Sequence, residues 1–295
     1  MSEKEPVMNK LIEGNNLTKH YDGFTLDRVS IDIPAGYVVG LIGSNGAGKT
    51  TAIKALLGLI KLGGGEVRAF GEAPTGSGWK SRIGVVFDTC AFVPTMTAAD
   101  IAGIGKAAYT DWDDAEFARL LDMFELPLRK QVKDLSRGMS MKLSLAFALA
   151  HHPDLLILDE PTAGLDPIAR DEALDYLRAF MDDERHGILI SSHITTDLEK
   201  IADIIVCIDG GRVVFSEAKD DICNKAGIAH CNEEQFSRVR TGAADGCAPH
   251  YLRRDFQIDV LVPDRFAFTQ AFPEVPCDPA SIDDFMLLML KGGAR

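Results

Sequence analysis

Gly43-Ser44-Asn45-Gly46-Ala47-Gly48-Lys49-Thr50 fits the pattern Gly-x-x-x-x-Gly-Lys-Thr, and the residues on either side give that pattern a fold. Before it, Tyr37-Val38-Val39-Gly40-Leu41-Ile42 is the short apolar run expected of a buried parallel strand. After it, residues 51–60 space their apolar side chains as an amphipathic helix does. A strand, a glycine-rich turn and a helix in that order bring free backbone N–H groups and the positive end of the helix dipole against an anion. The predicted phosphate-binding set is Gly43, Ser44, Asn45, Gly46, Ala47, Gly48, Lys49, Thr50 and Thr51. Its glycines let the backbone wrap closely around phosphate oxygens, Lys49 reaches the terminal phosphates, and the Thr50 hydroxyl holds Mg²⁺.

A second run, Leu155-Leu156-Ile157-Leu158, lies between Pro153 and Pro161 and suits a central strand buried on both faces. Asp159 and Glu160 end it, where open α/β sheets place their chemistry. Strand alternation predicts that the two carboxylates point to opposite faces and so do different work. Asp159 is the candidate for the Mg²⁺ shell and Glu160 for orienting and deprotonating an attacking water.

Between these stretches stands Leu135-Ser136-Arg137-Gly138-Met139, which resembles the signature loop of ABC-type ATPases, usually Leu-Ser-Gly-Gly-Gln. Asp159-Glu160-Pro161-Thr162-Ala163-Gly164-Leu165-Asp166-Pro167 resembles that family's magnesium strand and dimer loop. Ile188-Leu189-Ile190-Ser191-Ser192-His193 is similar to the strand that ends in its switch histidine. The resemblance implies two ATPase subunits facing head to tail around two ATP molecules. Each site then takes Lys49, Thr50, Asp159, Glu160 and His193 from one chain and Ser136 and Gly138 from the other, with Asp166 in the dimer loop. It also implies that Tyr21 stacks on adenine. Glu160, His193 and Lys49 are the implied catalytic residues; Thr50, Asp159 and Asp88 are the implied Mg²⁺ contacts.

Two departures stand out. Asp88 occupies the place of the family's Gln, keeping the acceptor but losing the amide donor. Arg137 and Met139 replace Gly and Gln in the signature, and loss of that glycine is expected to narrow the permitted backbone angles.

Composition limits the partners. No apolar stretch approaches the ~18 to 20 residues of a membrane span, and Met1-Ser2-Glu3-Lys4-Glu5 lacks the apolar core of a signal peptide. A formal net charge of −13 repels phosphate backbones, so no nucleic-acid partner is expected. The six cysteines form no Cys-x-x-Cys pair and are expected as free thiols in a reducing compartment.

The predicted fold class is α/β: a P-loop NTPase core with a parallel sheet, an N-terminal antiparallel β subdomain, an inserted helical subdomain at about 89–150 and a small C-terminal α+β extension. The ATP-binding domain is placed at 9–215 and an accessory region at 216–295. Short strands are expected over residues 9–41, a capping box at Thr97-Ala98-Ala99-Asp100, and a strand on which Phe256, Ile258, Val260 and Val262 alternate. Ser281 is expected to cap a terminal helix. The resemblance extends to the ATPase subunits of bacterial type-2 ABC exporters, and implies a cytoplasmic motor, peripheral on the inner face of the cell membrane, that drives a separate integral membrane permease. Phe92, Val93 and Met96 are the apolar candidates for that contact. Two alternatives stand beside this reading. One is a soluble ABC ATPase that remodels ribosomes or nucleic acid, disfavoured because this chain has neither a second ATPase domain nor a long coiled-coil insertion. The other is a non-hydrolysing nucleotide-binding regulator, disfavoured by the intact Glu160.

Overall fold

The computed structural model describes residues 9–242 and 250–293; the expectations for the first five residues and for Cys247 lie outside these. The chain opens on β1 (Lys10–Tyr21) and β2 (Phe24–Pro34), two long antiparallel strands where several short ones were expected. Register shifts between Lys10 and Ile12, and from Gly14 through Lys19, absorb the breaks in alternation without ending either strand. Next come β3 (Val38–Ile42), α1 (Lys49–Leu56) and β4 (Gly64–Ala69), and β4 pairs with β1 to complete a three-stranded antiparallel sheet. The helix after the phosphate loop thus begins two residues earlier than its periodicity suggested. It ends at Leu56 because Gly58 turns left-handed at φ 60°, leaving Leu59 exposed.

The remaining core elements are β5 (Ile83–Val86), α2 (Ala98–Ala108), α3 (Asp114–Met123), α4 (Arg137–Leu149), β6 (Leu155–Asp159), α5 (Pro167–Phe180), β7 (Gly187–Ser191), α6 (Thr195–Ile201), β8 (Ile204–Asp209) and β9 (Arg212–Ala218). They build a six-stranded sheet in the order β5-β6-β7-β3-β8-β9, parallel except for its edge strand β9. Every residue of β3, β6 and β7 is buried, which is why these strands read as unbroken apolar runs. The helices α2, α3 and α4 lie between β5 and β6 in the chain, and α2 begins with the expected Thr97–Asp100 capping box.

One glycine sets the distance between α4 and the sheet. A Cβ on Gly84 of β5 would sit 2.6 Å from the carbonyl oxygen of Ala148 and 2.7 Å from a Leu156 methyl. Gly84→Ala is therefore expected to destabilise the chain by about 1–3 kcal/mol through overpacking, and to tilt α4 outward. A thermal melt checks it, an unchanged midpoint being the contrary result.

The C-terminal residues form β10 (Gly227–Cys231), α7 (Glu233–Gly242), β11 (Tyr251–Arg253), β12 (Ile258–Val262), α8 (Arg265–Ala271), β13 (Cys277–Pro279) and α9 (Ile282–Lys291). Their four-stranded antiparallel sheet runs β11-β12-β10-β13. The predicted alternation is corrected at both ends of its logic. Phe256 is 99% exposed and precedes β12, while Asp259 within β12 is buried because His230, Arg254 and Gln257 all bond its carboxylate. Ser281 caps α9 as expected. That helix docks on the core: the Ile282 N–H donates to Glu199 of α6 at 3.1 Å, and Phe285 meets Phe215 edge-on at 5.0 Å. The five described cysteines are free, and burial pushes the Cys207 thiol up to about 12.

Candidate active site

Two parallel strands and one loop assemble the site. The phosphate loop leaves β3 and enters α1 through Gly48, at φ 117°, with no side chain capping the first N–H groups. Of the loop's three glycines with positive φ, Gly43 and Gly48 are also forced by close neighbours. A Cβ on Gly43 would fall 2.2 Å from the Ile208 carbonyl oxygen, and one on Gly48 would fall 2.9 Å from the Phe24 ring. The loop therefore lies tight against β8 on one side and β2 on the other.

Lys49 is folded back into this loop. Its ammonium donates to the Gly43 carbonyl at 2.8 Å and lies 3.4 Å from Glu160 Oε1, with only 7% of the side chain exposed. Thr50 Oγ1 donates to Asp159 Oδ2 at 2.7 Å, and Ser191 Oγ donates to the other Asp159 oxygen at 2.6 Å. Two of the three predicted metal contacts, Thr50 and Asp159, thus already touch. Their donors are hard oxygens, and Mg²⁺ keeps most of its shell for water and phosphate, so two protein groups fit its chemistry.

Glu160 sits just past the end of β6 in the left-handed region, φ 54°. Strand alternation does not separate it from Asp159, as the sequence suggested; this backbone turn does. Asp159 stays buried beneath Thr50, and Glu160 swings to His193, whose Nδ1 lies 2.6 Å from Oε2 and whose backbone N–H donates to the same oxygen at 3.2 Å. A carboxylate only accepts, so Nδ1 carries the proton and Nε2 is left for another partner. His193 itself is half exposed.

A cavity of about 270 Å³ opens over the loop, lined by Ser44, Lys49, Thr50, Asp88, Glu160 and Phe24 among others. Asp88, the departure from Gln, thus lines the same cavity as Thr50 and Glu160. Phe24 was missed; nothing in its alternating strand marks it. Ser191 was missed too, because a serine in Ser-Ser-His reads as context until β7 is seen beside β6. Tyr21 does not line this cavity. It stands 46% exposed at the end of β1 with the Lys19 ammonium 5.2 Å from its ring centre.

Ser136 and Gly138 are not among the lining residues either. Ser136 caps α4, its hydroxyl accepting from Met139 N–H at 3.2 Å. Arg137 is the first residue of that helix and does not have a positive φ, so the lost glycine costs the backbone nothing here, contrary to expectation. Its guanidinium lies against Gly164, where an added Cβ would be 2.9 Å away. Asp166 caps α5 with Pro167 at the first turn, and the N–H groups of Ala169 and Ile168 hold its carboxyl below the usual range.

A family model described as ABC transporter matches residues 26–163. The bacitracin transport ATP-binding protein BcrA of Enterococcus faecalis is 35% identical over 218 residues, spanning 70% of this chain and 69% of that protein. The chain belongs to the ABC transporter family. It is the ATP-binding subunit of such a transporter, and its chemistry is ATP hydrolysis. Similarity extends to the daunorubicin/doxorubicin resistance ATP-binding protein DrrA of Streptomyces peucetius, at 33% identity over 74% of this chain and 68% of that one. A solved ATP-binding subunit of an ABC transporter superposes with a TM-score of 0.65 at 30% identity, covering 72% of this chain and 91% of the other. ABC subunits share the arrangement seen here, a parallel-sheet core joined to an antiparallel sheet and helices.

Proposed function

We propose that this ABC subunit is an exporter motor that closes on a second ATPase subunit around two Mg-ATP molecules and pushes a separate membrane permease. The observation that carries the reading is the convergence of Lys49, Thr50, Asp159, Glu160 and His193 on one cavity. Lys49, now held by Gly43 and Glu160, would turn to the phosphates of bound ATP, and Thr50, Asp159 and Asp88 would hold Mg²⁺ and its waters. Glu160, released from Lys49 and steadied by His193, then orients the attacking water and takes its proton. Mg²⁺ neutralises charge on the phosphate oxygens.

The second half of each site comes from the partner's signature loop. Within its own chain Gly138 has room for a Cβ, the nearest atom being a Leu165 methyl at 3.6 Å. Its reason for being glycine therefore lies in what approaches from outside. Adenine is assigned to Tyr21 in this reading, and the exposure of its ring supports the assignment. Export is supported by the similar proteins, whose names describe bacitracin transport and daunorubicin/doxorubicin resistance.

No helix among the described residues is long and apolar enough to cross a membrane. The proposed motor acts on its permease from the inner membrane surface. The docking loop precedes α2. Phe92 is half-buried, edge-on to Phe147 at 5.1 Å, and belongs to the helical core. Val93 and Leu128 are 55% and 52% exposed and are the better contacts for a permease helix. Val93→Asp is expected to keep ATP binding and the melting temperature while losing co-purification with the permease. Phe92→Asp is expected instead to lower the melting temperature. A Val93→Asp protein that retains a full-strength complex would move the docking surface elsewhere.

A further inference from the structure

A buried carboxylate faces a partly exposed guanidinium between the dimer loop and the switch histidine, outside the cavity just described. Arg170 is on α5, one turn beyond Asp166, and its N–H donates to the Asp166 carbonyl at 3.0 Å. Asp197 is in the first turn of α6, four residues beyond His193, and is 1% exposed. Arg170 Nε lies 3.8 Å from Asp197 Oδ2. Both atoms are buried, and neither has a hydrogen-bond partner among the described residues.

Such an arrangement is costly as it stands. The Arg170 guanidinium is partly solvated, but its Nε and the facing Asp197 oxygen are both buried, and buried polar atoms of this kind are normally satisfied by a hydrogen bond. Here the two groups stop short of a bond. A small approach of α5 toward α6 would complete it, and no competing partner has to be displaced. The same two helices are also joined on the surface by Lys200 and Asp171 at 2.7 Å, a pair largely exposed and already closed. Packing of α5 on α6 thus does not need the pair of Arg170 and Asp197.

The connectivity shows what this pair can transmit. Asp166 caps α5 and is exposed in the dimer loop. Asp197 N–H donates to the Ile194 carbonyl, and Ile194 N–H to Ser192 Oγ, so the start of α6 holds the His193 backbone in place. His193 in turn bonds Glu160 through both its ring and its N–H.

We propose that Arg170 and Asp197 are positioning residues for hydrolysis, forming a bond when a partner subunit presses on the Asp166 loop and thereby fixing His193 against Glu160. This rests on the dimer reading above. Neither residue touches nucleotide. Their loss should spare ATP binding and reduce the step that follows it.

The test is steady-state hydrolysis of Mg-ATP by the full chain with its permease, alongside ATP affinity and thermal melting. Arg170→Met and the near-isosteric Asp197→Asn are each expected to lower kcat about ten-fold, the scale of mutations along a coupling network, with KM for ATP within about two-fold. The double variant should be no slower than the worse single one, because the two act as a unit. Arg170→Lys, which retains a cation near Asp197, should recover most of the rate. Lys200→Ala, which cuts only the surface link, should turn over normally. Losses that multiply in the double variant, a KM that rises in step with the fall in kcat, or an equal loss in Lys200→Ala would overturn the proposal. Should Arg170→Met fail to fold, Asp197→Asn against Arg170→Lys still decides it. If Glu160→Gln keeps its turnover, the hydrolysis reading fails; if Glu160→Gln is dead while Asp197→Asn is unimpaired, only this inference does.

Discussion

Glu160→Gln is expected to bind Mg-ATP and lose turnover by ~10² or more, the scale on which removal of a proton-transferring group acts. The amide keeps the shape of the side chain and an acceptor for the His193 backbone N–H. It loses the negative charge that now draws the Lys49 ammonium to 3.4 Å and the second acceptor oxygen that a water would use. Binding should not suffer, because the loop amides, Lys49 and Thr50 are untouched. With hydrolysis stopped, the closed dimer should accumulate with ATP and elute as the larger species from a sizing column. Near-normal phosphate release would mean that another group activates the water. Buried as it is between Thr50 and Ser191, Asp159 is poorly placed to do so.

Mixing Lys49→Ala with Ser136→Ala should restore hydrolysis that neither variant shows alone. In a homodimer of either variant both sites carry a lesion, and loss of one charge-stabilising donor costs on the order of 10²–10³ in turnover. In a head-to-tail mixed dimer both lesions fall in one site and the other is intact. Equal amounts of the two chains should then give about one quarter of the unmodified rate if the sites fire independently, by the counting that a two-fold interface imposes. The structure supports the design: Lys49 lines the cavity over the loop, whereas Ser136 caps α4 and does not. A mixed dimer shown to form, yet remaining at background with its permease present, would count against the trans arrangement or against independent sites.

Much of this site is legible in the chain because its chemistry is local in sequence. The phosphate loop must be glycine-rich, must follow a buried strand and must open a helix, and all three demands fall within residues 37–60. The same holds for Asp159 and Glu160, which follow an apolar run as a strand end should. Strand alternation, however, misjudged how they diverge. Whether Glu160 continues the strand or turns at φ 54° depends on the Ser191 carbonyl and hydroxyl that receive its N–H, and these belong to another strand. Periodicity also overran α1 by the turn that Gly58 ends, and it counted Phe256 into a strand that begins at Ile258.

The sequence by itself determined that this chain is an ATP-binding ABC subunit, and it named the phosphate-loop pattern, the two carboxylates and the histidine from which the proposed site is built. These are properties of short segments whose residue types and spacing admit few other physical uses. Tertiary structure decided which side chains meet: Ser191 with Asp159, Phe24 with the phosphate loop, Phe92 with Phe147 rather than with solvent, and Arg170 with Asp197. Each of these contacts joins segments brought together by sheet order or helix packing. No local pattern encodes them, because the free energy that selects them is gained only when distant apolar surfaces are buried together.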